Sequence, residues 1–175
     1  PLYSSAASDV YKRQDSVVYI GKNKVTDKIE IPGFGSQSVG KLLLSPTRTY
    51  APLVKAILTE HFDAVKGMIH CSGGGQTKCM KYLPGNMRII KDNFMPIPPI
   101  FKLIQENSGA NAREMYQVFN MGHRLEIFTN EDKAESLISI ANSLGIEAQV
   151  IGHVVASNKK ELILKGEFGG EVFSY

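Results

Sequence analysis

The chemically richest stretch of the chain is His70-Cys71-Ser72-Gly73-Gly74-Gly75-Gln76-Thr77. Three consecutive glycines between a strand and a helix cost backbone entropy, on the order of 1 kcal/mol each relative to alanine in regular structure. Such a loop is useful where backbone N–H groups must approach an anion, and phosphate is the natural guest. The same glycines would also serve a tight strand-to-helix turn. The loop lacks a following GK[ST] and is not GxGxxG, so it is neither a P-loop nor a dinucleotide fingerprint. His70 stands at the strand end beside it, as a packed residue or as a donor and proton carrier near neutral pH.

A second segment, Phe119-Asn120-Met121-Gly122-His123, joins a short helix to a strand. Asn120 can donate and accept hydrogen bonds, and Gly122 permits close approach or a positive φ. Phe119 and Met121 would equally suit a core. In a third segment, Ser45-Pro46-Thr47-Arg48-Thr49-Tyr50, Arg48 stands at a helix N-terminus, where the dipole disfavours a cation. It therefore needs an anionic ligand, a carboxylate or a surface ion pair. Cys71 and Cys79 have no thiolate-stabilising neighbours in the sequence and read as inert buried thiols. His61 and His153 carry no motif. Carboxylates are dispersed, so no metal site or paired acid-base site is expected from this chain.

Helices and strands must position these segments. Tyr50, Leu53, Val54, Ile57 and Leu58 form one apolar helical face, with Thr49 as cap and Pro52 in the first turn. Residues 66–72 read as a buried strand, 77–83 as helical and 87–91 as a short strand. Pro99 is placed to open a helix that Asn107, Ser108 and Gly109 stop. Asn111 and Glu114 resemble a capping box for a short helix to about Phe119. Residues 124–129 alternate as a strand, with Leu125 and Ile127 on one face. Ala134, Leu137, Ile138, Ala141 and Leu144 mark an amphipathic helix ended by Gly145. Residues 147–156 and 161–165 are expected to pair as a hairpin. Upstream, residues 17–20 are β-prone, and Val25, Asp27, Ile29 and Ile31 alternate before the Pro32-Gly33 turn. Gly33, Gly35 and Gly40 make the next stretch a loop. This order predicts an α/β fold of α+β sandwich type, a mixed β-sheet flanked by helices.

Composition narrows the function. The 175 residues carry 43% hydrophobic and 21% charged side chains, an ordinary globular balance. A net charge of +3, from 20 basic and 17 acidic residues, gives no reason to invoke nucleic acid. No apolar run suits a membrane span. Two cysteines exclude a disulfide framework and fit a cytoplasmic setting. Residues 1–14 (PLYSSAASDVYKRQ) are polar and aperiodic, and read as a non-native or disordered tail.

Jointly, SPTRTYAP, HCSGGGQTK with its downstream LP, PIPPIFKLIQ, EMYQVFNMGHR and AQVIGHV resemble phosphoribosylformylglycinamidine cyclo-ligase, the aminoimidazole ribonucleotide synthetase family. Cys71 and Ser72 stand where the family usually has Ile and Thr, and His123-Arg124 departs from its glycine-rich form. The resemblance covers roughly Val17 to the C-terminus. It implies a joining segment over 15–44 and a C-terminal domain over 45–175. It further implies that an N-terminal half, with the ATP- and Mg²⁺-handling acids and a catalytic lysine, belongs to the parent, which is expected to be a homodimer. The implied reaction is ATP-dependent ring closure of formylglycinamidine ribonucleotide to aminoimidazole ribonucleotide in purine biosynthesis. His70, Ser72, Gly73, Gly74 and Gly75 carry over as a substrate or phosphate cradle. Asn120, Met121 and Gly122 carry over as a second wall, and Thr47 and Arg48 as a rim. Two alternatives remain. One is another ATP-using member of the superfamily, of amidotransferase, selenophosphate synthetase, hydrogenase maturation or thiamine-monophosphate kinase type. The other is a non-catalytic binding module.

Overall fold

A computed structural model describes residues 21–166 and 172–175. The tail and the β-prone run at 17–20 lie outside the described residues. The chain divides into two compact units, Pro1–Pro46 with Pro99–Asn111, and Thr47–Pro98 with Ala112–Tyr175.

In the first unit, β1 (Lys28–Ile31) pairs antiparallel with β2 (Gly35–Ser38), Ile31 opposite Gly35. Gly33 takes a positive φ of 80° in the intervening turn, which glycine adopts without a Cβ penalty. The stretch expected to be a loop is therefore a strand followed by a helix. Ser38 explains the switch: its hydroxyl accepts the Lys41 N–H at 3.3 Å and caps α1 (Val39–Leu43). A further helix, α3 (Pro99–Ser108), begins at its proline as expected. The Asn107 side chain accepts the Lys22 N–H at 2.6 Å and donates to Asn23 Oδ1 at 3.0 Å, tying α3 to the segment that leads into β1.

The second unit holds two sheets. β3 (Val65–His70) pairs antiparallel with β5 (Leu125–Thr129), Ile69 opposite Glu126. Helices α2 (Ala51–His61) and α5 (Glu131–Ser143) supply the core Leu53, Ile57, Leu137 and Ala141. Against this cluster pack Met68, Leu125 and Ile127, as the alternation in 124–129 predicts. Each buried Leu or Ile side chain contributes about 1.5–3 kcal/mol. Two details of the helix ends differ from expectation. Tyr50, without a side-chain cap bond, precedes α2 in place of Thr49. Leu144 follows the last turn of α5 and is exposed, because Gly145 (φ 67°) turns the chain away there.

The other sheet has the order β6-β4-β7-β8 and is mixed. Its centre includes β4 (Met87–Lys91), antiparallel to β6 (Gly152–Ala156) and parallel to β7 (Glu161–Lys165), with β8 (Val172–Ser174) antiparallel to β7. The expected hairpin of 147–156 with 161–165 is thus corrected: β4 lies between the two strands. Burial explains the arrangement. Glu161, Leu162 and Leu164 are buried, as an interior strand requires, whereas His153 and Val154 on β6 are exposed, as an edge allows. Gly152 lets the edge close up, since a Cβ there would strike the Ile90 carbonyl oxygen and come within 2.8 Å of Lys91 Cα.

A buried ion pair joins the two sheets. Ile89 and Lys91 share the buried face of β4, and Lys91 Nζ meets Glu126 Oε1 on β5 at 2.5 Å. Lys91 is 2% and Glu126 6% exposed. Glu126 points to the face of β5 opposite Leu125 and Ile127, so both faces of that strand are covered. Losing one partner of such a pair leaves an uncompensated buried charge, at a cost of about 3–5 kcal/mol.

Candidate functional site

β3 ends at the exposed His70, and the chain turns at once. The Ser72 N–H donates to His70 O at 2.9 Å and the Gly75 N–H to Ser72 O at 3.0 Å. Among the described residues the Gly73 and Gly74 amides have no such partner, and Gly73 is exposed. Gly74 (φ 94°) and Gly75 (φ 48°) both need the left-handed region. Gly75 is also sterically obligatory. A Cβ there would strike the Phe119 carbonyl oxygen and lie 2.7 Å from that of Tyr116, at the end of α4 (Ala112–Val118). Two of the three glycines therefore have a structural cause. The helix that follows, Gly75–Lys81, is 3₁₀. Its Lys78 reaches back over the turn, with Nζ 2.9 Å from His70 O and 2.6 Å from Ser72 Oγ. Sequence reasoning missed this cation. Its spacing, one helical turn after Gly75, was the available signal.

The second segment is a tight turn. The His123 N–H donates to Asn120 O at 3.0 Å across Met121 (φ 53°) and Gly122 (φ 106°), as in a type I′ turn. Asn120 Oδ1 accepts the Gly122 N–H at 2.9 Å. A Cβ on Gly122 would stand 3.0 Å from Pro98 Cδ. Met121 is a non-glycine residue in a strained conformation and is 0% exposed, so it offers a ligand no surface. Asn120 and Gly122 remain partly accessible. Gln76, wholly buried, links the two turns by donating Nε2 to Asn120 O at 2.5 Å.

Thr47 and Arg48 are exposed and precede Tyr50, whose ring lies 6.3 Å from that of His70. The Arg48 guanidinium donates to Gly145 O at 2.6 Å, a carbonyl at the C-terminal end of α5. That is the dipole end a cation favours. Arg48, Thr49 and Pro52 line a shallow concavity of about 380 Å³ with Leu144, Gly145 and Ile146. A larger one of about 600 Å³ is lined by Arg88, Ala156, Ser157, Asn158 and Lys159. Neither includes the glycine turn or the Asn120 turn.

Three groups near the buried pair, His123, Cys71 and Cys79, have perturbed titration. His123 is 6% exposed, accepts the Met95 N–H on Nε2 at 3.0 Å and has no partner on Nδ1. Burial, then the Lys91 charge, push its pKa down to about 4, so it is a neutral structural imidazole. Cys71 and Cys79 are buried free thiols, and burial raises both pKa values, as the inert reading expected. Among the described residues no group of three or more His, Cys, Asp or Glu side chains could hold a metal ion. No helix among them is long and apolar enough to cross a membrane.

Comparison with known proteins gives a consistent picture. Residues 16–165 match the family described as AIR synthase related protein, C-terminal domain. A phosphoribosylformylglycinamidine cyclo-ligase of Pseudothermotoga lettingae is 34% identical over 93% of this chain and 45% of that protein. The one of Methanocaldococcus jannaschii is 36% identical over 79% of this chain and 38% of its own length. The chain thus spans less than half the length of these relatives. Among solved structures, E. coli HypE, a hydrogenase maturation protein, superposes with a TM-score of 0.53 at 19% identity, over 79% of this chain and 44% of HypE.

Two outcomes follow from the geometry. Gly74→Ala should cost about 1 kcal/mol of stability through its positive φ. Gly75→Ala should cost clearly more, because its Cβ meets backbone carbonyls; urea unfolding compares them. His123 should make stability pH-dependent. Its folded pKa, about 4, lies below the ordinary 6.5, so the unfolded state binds the extra proton in that window. The contribution, up to about 3 kcal/mol, is complete above the upper value and lost as pH falls toward the lower. In His123→Gln the unfolding midpoint should lose that part of its slope.

Proposed function

The chain belongs to the AIR synthase related, C-terminal domain family, and on that footing we propose that it is the substrate-facing C-terminal part of a phosphoribosylformylglycinamidine cyclo-ligase. The observation that carries this reading is the match to named cyclo-ligases along nearly the whole chain, joined to a turn that leaves amides free beneath a lysine. In the reaction, ATP phosphorylates the formyl amide oxygen of formylglycinamidine ribonucleotide. The amidine nitrogen then attacks that carbon, phosphate leaves, and the imidazole ring closes. The protein's work in such a step is orientation and stabilisation of developing charge.

This chain's share is to hold the ribotide. The amides of Gly73 and Gly74, the Ser72 hydroxyl and the Lys78 ammonium bind its phosphate, with His70 as a neighbouring donor. The accessible edge of the Asn120 turn, Asn120 and Gly122, forms the second wall, and Thr47 the rim. Arg48 orders that rim through its bond to Gly145 O. ATP and Mg²⁺ are handled by acids of the parent's N-terminal half. The parent works as a cytoplasmic homodimer.

The test is reconstitution. The chain, co-expressed with the N-terminal half of the Pseudothermotoga lettingae relative, should release phosphate from ATP only when formylglycinamidine ribonucleotide is present. It should also form an aminoimidazole product. Ser72→Ala and Lys78→Ala should each raise KM about tenfold with kcat little changed, the signature of lost ground-state and transition-state binding alike. The chain alone should turn over no ATP. Turnover by the chain alone, or a reconstituted pair active only on another superfamily substrate, would contradict the reading.

A further inference from the structure

Gln76 lies between the two turns and the buried ion pair. Its side chain has no exposure, and neither of its polar atoms is left to choose its partner. Lys91 Nζ has three protons and three acceptors: Gln76 O at 2.9 Å, Gln76 Oε1 at 3.0 Å and Glu126 Oε1 at 2.5 Å. The cation thereby fixes the Gln76 amide with oxygen inward. Nε2 must then face the opposite way, where it donates to Asn120 O at 2.5 Å. That carbonyl also accepts the His123 N–H, which closes the Asn120 turn, while Asn120 Oδ1 takes the Gly122 N–H. What the turn leaves over is Asn120 Nδ2, for which the described residues provide no acceptor. At its other end Gln76 follows directly on Gly75, so its backbone is the exit of the glycine turn.

We propose that Gln76, oriented by Lys91 and Glu126, is a positioning residue that fixes the Asn120–Gly122 turn against the Ser72–Gly75 turn, so that the two present their free donors to one phosphorylated ligand. The proposal rests on the reading above that these turns bind a ribotide. A buried ion pair is weak evidence of stabilisation, because well-packed apolar residues of like volume commonly serve the fold as well or better. Its more informative property is direction. An apolar contact could hold the same elements together, but it could not dictate which end of an amide faces Asn120. Preorganisation of this kind appears in ligand affinity, not in folding.

The experiment titrates the chain with formylglycinamidine ribonucleotide and follows backbone amides by ¹H–¹⁵N NMR, beside a thermal melt of each variant. In the wild type, amides of Gly73, Gly74 and Gly122 should shift together along one binding curve. Gln76→Met keeps the side-chain volume and removes the donor to Asn120. Lys91→Met/Glu126→Leu replaces the ion pair by an apolar one, and keeps the question open should Gln76→Met not fold. Either variant should bind about tenfold or more weakly, with Gly122 uncoupled from the glycine amides. Ile57→Val, a mild loss in the separate core under α2 and α5, should leave the affinity unchanged, which shows that lowered stability alone does not weaken binding. Wild-type affinity, with coupled shifts, in a folded Gln76→Met or in the double variant would overturn the proposal and leave the ribotide reading standing. A wild-type chain whose amides do not respond at all would overturn that reading, and the positioning role with it.

Discussion

A lysine and a glutamate, both removed from water, meet between the two sheets of the second unit. Much of the local architecture follows from satisfying them. Lys91 spends its remaining protons on Gln76, and Gln76 spends its amide on Asn120. The desolvation cost of the charges is several kcal/mol per ion and is offset only if every donor and acceptor is met. That requirement reaches outward to the two turns, adding a side-chain bond where Gly75 already packs on the carbonyls of Tyr116 and Phe119. It also sets the chemistry of its neighbours: the positive charge of Lys91 helps keep His123 neutral, and the negative charge of Glu126 adds to burial in keeping Cys71 a thiol.

The glycine turn combines two demands on one short sequence. Gly75 is where the backbone of the 3₁₀ helix presses on the carbonyls that end α4, and Gly74 is where the chain must turn left-handed. These are folding reasons. Among the described residues they also leave the Gly73 and Gly74 amides without a backbone partner, next to a Lys78 ammonium that holds His70 O and Ser72 Oγ. A ligand reading and a turn reading of the triplet are therefore compatible: the constraint that makes the bend tight is the one that bares its donors. Met121 shows the opposite outcome. Its neighbours in sequence suggested a binding wall, but its side chain is spent on the core.

Local patterns made most of the fold legible. The period of Leu53, Ile57, Leu137 and Ala141 marked two helices that cover a sheet, and Pro99 and Gly145 marked where helices begin and end. Strand partnership was less legible. The segments at 152–156 and 161–165 are close in sequence, but β4 pairs with both, and nothing local in the intervening residues records that insertion. Gln76, Lys91 and Glu126 were invisible for a similar reason. Each sits on a separate element, 15 and 35 residues from its partners along the chain. A lysine in a short strand and a glutamate alternating with Leu125 and Ile127 both look solvent-facing. Only the apposition of two sheets shows that both are interior. Of the candidate site, the two turns were readable from glycine and asparagine chemistry, whereas the lysine over the first turn and the amide joining it to the second were not.

If the two turns form one face for a phosphorylated ribotide, a crystal structure of the reconstituted two-half enzyme with formylglycinamidine ribonucleotide should show the ligand on both. A ligand phosphate oxygen should lie at hydrogen-bond distance, about 3 Å, from the Gly73 or Gly74 amide, with the same molecule contacting Asn120. A ribotide seated elsewhere, with both turns still facing solvent, would contradict a shared binding face.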